Sequence, residues 1–168
     1  MGLPTIADGT SEETTISVSW VAPDDRGSVI LEYAIELKAA DDSFHEEETQ
    51  CSGSEVDIFA SLMCKIQMTT FVESPYLLSQ GDPIVAQVRA RNAFGWGDWS
   101  DPNSSGAIVQ QRPQTPPSAP ELVSQAETSI TVKMPDVLGA NTGGSVLLSY
   151  NLLYNMGGNS ENYVSISG

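Results

Sequence analysis

The stretch VRARNAFGWGDWS holds the side chains whose types and spacing offer the most specific chemistry in this chain. A guanidinium that stacks on an indole ring gains about 0.5–1 kcal/mol at an exposed site. Arg89 and Arg91 lie on one face of a predicted strand, and Trp99 follows shortly after it. Phe94 and Trp96 surround a glycine turn at the loop tip, and they are the candidates for recognition of a ligand.

Cys51 and Cys64 are the only cysteines in the chain. Their even number and short separation, together with the acidic, β-rich composition, favour a disulfide. A bridge that closes a loop of this size stabilises the fold by roughly 3 kcal/mol. The alternative is two reduced thiols in the core. A zinc site is not expected, because the two cysteines and His45 would still lack a fourth ligand.

Residues typical of catalysis are scattered without a recognisable arrangement. His45, in SFHEEETQ, has no neighbour in sequence that would orient it, and we expect it in a solvated loop. The chain contains no G-x-S-x-G, Gly-rich phosphate loop or H-E-x-x-H motif. Its paired acids, such as Asp24 with Asp25, lack the ligand spacing of a calcium site, so we expect a solvated surface. The sequence predicts no enzyme, no metal and no cofactor.

Asn103-Ser104-Ser105 is an N-glycosylation acceptor triplet. It follows Pro102 in a predicted loop, so we expect Asn103 to be accessible and to carry a glycan if the protein is secreted.

The composition restricts the classes of partner. The 168 residues carry 7 basic and 22 acidic side chains, a net charge of −15. Nucleic acid and anionic membranes bind through clustered lysine and arginine, so neither is an expected partner. No apolar run is long enough to cross a membrane, and the first residues lack the basic and apolar regions of a secretory signal.

Two parts of the chain repeat each other in the same order. GSVILEYAIEL (27–37) returns as GSVLLSYNLLY (144–154), and TISVSW (15–20) returns as SITVKM (129–134). Both segments alternate apolar and polar residues, as strands do when one face is buried. QQRPQTPPSAP (110–120) lies between the copies and has the composition of a stiff linker. Short strands with frequent turn residues predict an all-β antiparallel sandwich.

This layout resembles fibronectin type III domains, which are immunoglobulin-like sandwiches. The likeness rests on the I-x-V-x-W strand that ends at Trp20, on Pro23 shortly after it and on the following strand with Tyr33. RNAFGWGDWS is similar to the A-x-N-x-x-G-x-G-x-x-S pattern of the family. The cysteine-containing region also resembles large tandem-repeat surface proteins of single-celled eukaryotes. WGDWS resembles half of the Trp-Ser box of cytokine-receptor domains, which implies a structural ladder in which Arg89 and Arg91 stack with Trp99.

The resemblance implies three segments: a fibronectin type III domain over residues 3–112, a Pro-rich linker over 113–119, and the N-terminal half of a second domain, strands A to C′, over 120–168. The second segment departs from the family because it lacks strands E to G. Apolar residues such as Ile130, Val132, Leu148 and Tyr150 are then expected to face water. Either the array continues, or a neighbouring chain supplies the strands.

These observations predict a non-enzymatic extracellular or cell-surface module with a structural or adhesive role, in a tandem array, a filament or a surface coat. Its expected partners are proteins, namely neighbouring repeats or identical chains that assemble end to end or by strand complementation, and it would carry glycans. The alternative is the ectodomain of a receptor that binds its ligand with the loop around Trp96.

Overall fold

The computed structural model describes residues 5–8, 14–155 and 163–166, and the side chains of 5–8 and 166 are not described. The first copy of the repeat contains the strands β1 (Thr5–Asp8), β2 (Thr15–Ser19), β3 (Glu32–Lys38), β4 (Phe44–Glu46), β5 (Met63–Gln67), β6 (Ala86–Asn92) and β7 (Gly95–Trp96). Two short helices, α1 (Val56–Ser61) and α2 (Met68–Val72), flank β5. The second copy contains β8 (Glu121–Gln125), β9 (Ile130–Lys133), a 3-10 turn (Gly139–Thr142), β10 (Leu152–Asn155) and β11 (Tyr163–Ile166).

The strands of the first copy form two antiparallel sheets, with the orders β1-β2-β5 and β4-β3-β6-β7. Their inner faces enclose one core cluster, which contains Trp20, Tyr33, Phe71 and Tyr76 beside aliphatic side chains. This arrangement is the predicted all-β sandwich, and the fold is fibronectin type III-like.

The alternation of the strands decides which side chains are buried. In β2, Ile16 and Val18 point into the core, and in β6 Ala86, Val88 and Ala90 do the same. Leu31, which continues the apolar alternation of β3, is half exposed because it precedes the strand. The alternation of apolar and polar residues therefore predicted the inner face correctly, except at Leu31, which precedes β3.

Residues 54–66 divide between a helix and a strand. The helix α1 forms over Val56–Ser61. Leu62 then adopts a left-handed conformation, with φ of 55°, and its N–H donates to the carbonyl of Ile58 as the helix ends. The remainder becomes β5, because pairing with β2 buries Cys64 and Ile66 against the core.

In the second copy, the described strands form two separate hairpins, β8–β9 and β10–β11. Most of their apolar side chains are exposed, and Leu148 keeps 85% of its surface accessible. Ile130 and Tyr150 are exposed, as expected from the sequence, whereas Val132, which was also expected to face water, is half-buried.

Candidate functional site

Strand β6 and the turn after it build an arginine–tryptophan ladder on the outer face of the sandwich. The guanidinium of Arg89 lies 4.6 Å from the ring centroid of Trp96 and 4.2 Å from that of Trp99. Arg91 lies 5.7 Å from the centroid of Trp96. Alternation in β6 turns both arginines outward, and β7 brings Trp96 opposite Arg91. Arg89 is thus placed between two indole rings.

The position of Trp96 differs from the sequence interpretation, which left it free at the loop tip. Pairing in β7 fixes its backbone beside β6, and its ring becomes a member of the ladder with 40% of its surface exposed. Phe94 is the side chain that remains free, since 91% of its surface is exposed. The backbone N–H of Phe94 donates to Asn92 Oδ1, which holds the turn while the phenyl ring projects outward.

The two arginines are stabilised in different ways. Arg91 donates from Nε to Glu32 on the neighbouring strand β3, and this hydrogen bond raises the pKa of the guanidinium. Arg89 Nε is buried and has no hydrogen-bond partner among the described residues. The Arg89 guanidinium is therefore held by stacking on two indole rings.

A groove of about 400 Å³ lies beside the ladder. One wall is the loop between β2 and β3, Pro23–Arg26, and the other is the turn Asn92–Trp99. Asp24 and Asp25 use their Oδ1 atoms to accept backbone N–H groups two residues further on. The groove therefore presents aromatic surface next to carboxylates, a combination that suits an amphipathic or polar ligand.

Cys51 and Cys64 form a disulfide, with their Cα atoms 5.2 Å apart. Both residues are buried. Cys64 belongs to β5, whereas Cys51 lies in the connection after β4, so the bridge ties the connection around α1 to the sheet.

The structure buries Asn103, contrary to the expectation of an accessible loop. Its Oδ1 accepts the N–H of Ala86 at 2.7 Å, and its Nδ2 donates to the carbonyls of Ile84 and Ser105 at 3.1 Å. The side-chain amide thus substitutes for a backbone partner along β6. A glycan on Nδ2 would have to replace at least part of this bonding, and glycosylation of Asn103 stays a prediction.

His45 lies in β4 rather than in a solvated loop, and it contacts Ser43 and, through it, Asp41. Ser43 Oγ is 2.5 Å from Asp41 Oδ1 and 2.9 Å from His45 Nε2. The hydrogen bond from the Ser43 hydroxyl, followed by the one from the Ser43 backbone N–H, lowers the pKa of Asp41. Since the hydroxyl gives its single proton to Asp41, His45 must donate to Oγ, the opposite of what a general base does.

Sequence reasoning missed a buried polar pair in the core. Tyr76 donates its hydroxyl to Glu47 Oε2 at 2.8 Å, and Glu47 Oε1 accepts the backbone N–H groups of Thr49 and Gln50. Burial, followed by the hydrogen bond to Glu47, raises the pKa of Tyr76 well above its usual range. The run HEEET gave no sign that its second glutamate, Glu47, is buried while its neighbours face water.

In the described ranges, no group of three or more His, Cys, Asp or Glu side chains is placed to hold a metal ion. Nor does any helix in this part of the chain reach the length and apolar character of a membrane span.

Strand order and site together define a fibronectin type III-like sandwich with an outer arginine–tryptophan ladder. No protein-family model and no curated protein matches the chain. Among solved structures it is similar to the FN1-FN3 domains of chicken CNTN1, with 14% identity and a TM-score of 0.42, covering 98% of this chain and 52% of that one. It is also similar to the twitchin kinase region from C. elegans (Fn31-NL-kin-CRD-Ig26), with 21% identity and a TM-score of 0.41, covering 60% of this chain and 15% of that one.

Proposed function

We propose that the chain is a non-enzymatic structural or adhesive module of an extracellular or cell-surface array. In this proposal residues 3–112 are one sandwich, 113–119 are a Pro-rich linker, and 120–168 are the first half of a second sandwich. The partners are neighbouring repeats or identical chains. The buried disulfide between Cys51 and Cys64 supports an oxidising compartment.

One observation carries the proposal: the segment after residue 120 leaves most of its described apolar side chains exposed. Val146 and Leu148 are two of its most exposed apolar side chains. Exposed apolar side chains that cluster in one segment are typical of an interaction site. Residues 120–168 hold four of the 22 acidic residues, so the charge repulsion that opposes association is concentrated elsewhere.

Sedimentation velocity over a concentration series tests this function. We expect the full chain to form assemblies that grow with concentration, and the double variant V146S/L148S to remain monomeric. Phe94→Ser is the matched control, since it removes an equally exposed apolar side chain from the first copy. A wild-type chain that stays monomeric throughout the series would contradict the proposal.

Phe94 and the groove beside it favour a second candidate, a receptor-like module that binds its ligand at this loop. A panel of immobilised glycans and peptides, probed with the labelled chain, tests it. Binding that Phe94→Ser abolishes and V146S/L148S preserves would support recognition at the groove, and binding that is equal in both variants would exclude it.

A further inference from the structure

We infer that the turn Gly139–Thr142 and the following Gly143 are a docking site for the linker and for the first copy, and that this contact fixes the direction of the second copy. Such a junction would suit a spacer in an array, but its geometry does not depend on that function.

Three donors from the first copy and the linker converge on the carbonyls of this turn. The N–H of Gln111 donates to Gly143 at 2.7 Å, and the N–H of Gln114 donates to Asn141 at 2.9 Å. Gln80 Nε2, from the loop before β6, donates to Ala140 at 2.8 Å. Carbonyl groups at the C-terminal end of a helical turn need donors from elsewhere, and here Gln80, Gln111 and Gln114 supply them.

Gly143 is required by two independent features. Its φ is +79°, in the left-handed region, and a Cβ built on it would overlap the carbonyl of Gln111. Gly144 also lies close to the first copy, since its Cβ position is 3.6 Å from the carbonyl oxygen of Val109 and 3.7 Å from Gln80 Cγ. Any other residue at 143 would push the linker away from the turn.

Burial in the second copy is confined to this junction. Among the side-chain positions described between 121 and 165, Val137 and Gly143 are the two that are buried. The strands of the second copy are largely exposed, so its fixed position relative to the first copy depends on this small contact. If this loop were mobile, we would expect the aliphatic side chain of Val137 to be exposed rather than buried.

Gly139 offers a matched control for Gly143. It also adopts positive φ, +59°, but nothing lies within 4 Å of its Cβ position. Alanine at either site bears a similar conformational cost, whereas the overlap with the linker arises only at 143.

The experiment is pulsed electron–electron resonance on the full chain at concentrations where it is monomeric. Spin labels on noncanonical residues at Asp57 and Glu127, both exposed, report the distance between the copies without disturbing the disulfide. We expect one narrow distance distribution for the wild type and for Gly139→Ala, a broad or displaced one for Gly143→Ala, and an intermediate one for Gln80→Ala.

A broad distribution in the wild type, or a Gly143→Ala distribution identical to the wild type, would overturn the inference. Thermal unfolding of the first copy serves as the second readout, because Gly143 lies outside its core and the substitution should leave that transition unchanged. If the wild type gives a narrow distance distribution but never assembles, the inferred junction would stand and the proposed array would be contradicted.

Discussion

Strands β2 and β9 carry the same alternating pattern at equivalent positions of the repeat, yet their environments are opposite. Ile16 in β2 keeps 1% of its surface exposed, whereas its counterpart Ile130 in β9 keeps 62%. β2 is covered because β5 pairs with it and the β3–β6 sheet packs over its face. The pattern of a strand therefore selects the face to be buried, but strands distant in sequence must provide the cover.

The loops that lead into the two GSV segments also differ in where their backbone hydrogen-bond partners come from. Each contains two consecutive residues with positive φ, Arg26 and Gly27 in the first copy and Gly143 and Gly144 in the second. In the first loop, the carboxylates of the two preceding aspartates accept the backbone N–H groups, so the turn is satisfied by its own side chains. In the second loop the carbonyls accept donors from the linker.

The strongest test of the comparison replaces the two equivalent isoleucines in turn. Ile16→Ala should lower the free energy of unfolding of the first copy by roughly 2–5 kcal/mol, because it leaves a cavity in a closed core. Ile130→Ala should change the free energy of unfolding of the second copy by less than about 0.5 kcal/mol, as substitutions at exposed sites usually do. Urea unfolding measures both values, and equal losses would contradict the difference in burial.

The disulfide lies in the first copy. Its removal tests how much of the stability of that copy depends on a covalent bond. The double variant C51A/C64A should lose about 3 kcal/mol of unfolding free energy, since the bridge restrains the unfolded chain over a separation of 13 residues. Reductant should destabilise the wild type by a similar amount and leave the variant unaffected. A wild type whose urea midpoint ignores reductant would show that the bridge is absent or without effect.

The Tyr76–Glu47 pair is a polar anchor in the first core. Tyr76→Phe should cost about 2 kcal/mol, because it leaves the buried Glu47 Oε2 without its hydrogen-bond donor. Since the pKa of Tyr76 is raised in the folded state, the hydroxyl's contribution is present below pH 10 and declines as the pH rises further. The variant should show a weaker alkaline loss of stability than the wild type. Tyr150→Phe, at an exposed site, should leave the profile unchanged.

Substitutions at Asn103 and Ser105 distinguish a structural role of the Asn103 amide from a role of Asn103 in glycosylation. Asn103→Ala should cost about 2 kcal/mol, since it leaves the N–H of Ala86 and the carbonyl of Ile84 without their partner. Ser105→Ala destroys the acceptor triplet but keeps the backbone carbonyl that Asn103 contacts. Melting temperatures and intact masses of secreted protein distinguish the roles. Loss of stability in Ser105→Ala alone would indicate that a glycan, rather than the amide contacts, stabilises this segment.

Local patterns predicted the sandwich, the inner faces of β2, β3 and β6, and the pairing of Cys51 with Cys64. They did so because strand alternation and cysteine count are properties of short segments. The repeat also predicted a second copy, and this division of the chain stays a prediction. The division of residues 54–66 into α1 and β5 was not predicted, because it depends on the pairing of β5 with β2, a strand distant in sequence.

The site was predicted less completely, because its contacts join segments far apart in sequence. The position of Trp96 in the ladder depends on the register of β7 against β6. Burial of Asn103 depends on the path of residues 97–109 along β6, where it takes the place of a backbone partner. An acceptor triplet and an aromatic turn look the same in a sequence whether the fold covers them or exposes them.

Substitution in the arginine–tryptophan ladder should have the smallest effect on stability. It also distinguishes a structural role of these side chains from a role in ligand recognition. Arg89→Met should cost about 1–2 kcal/mol, because Arg89 stacks on two rings, and it should alter the near-ultraviolet circular dichroism of the tryptophans. Phe94→Ser should change neither the stability nor the spectrum, since its ring projects into solvent. A spectrum that Arg89→Met leaves unchanged would show that the rings are not held by the guanidinium, and Trp96 would again be available to a ligand.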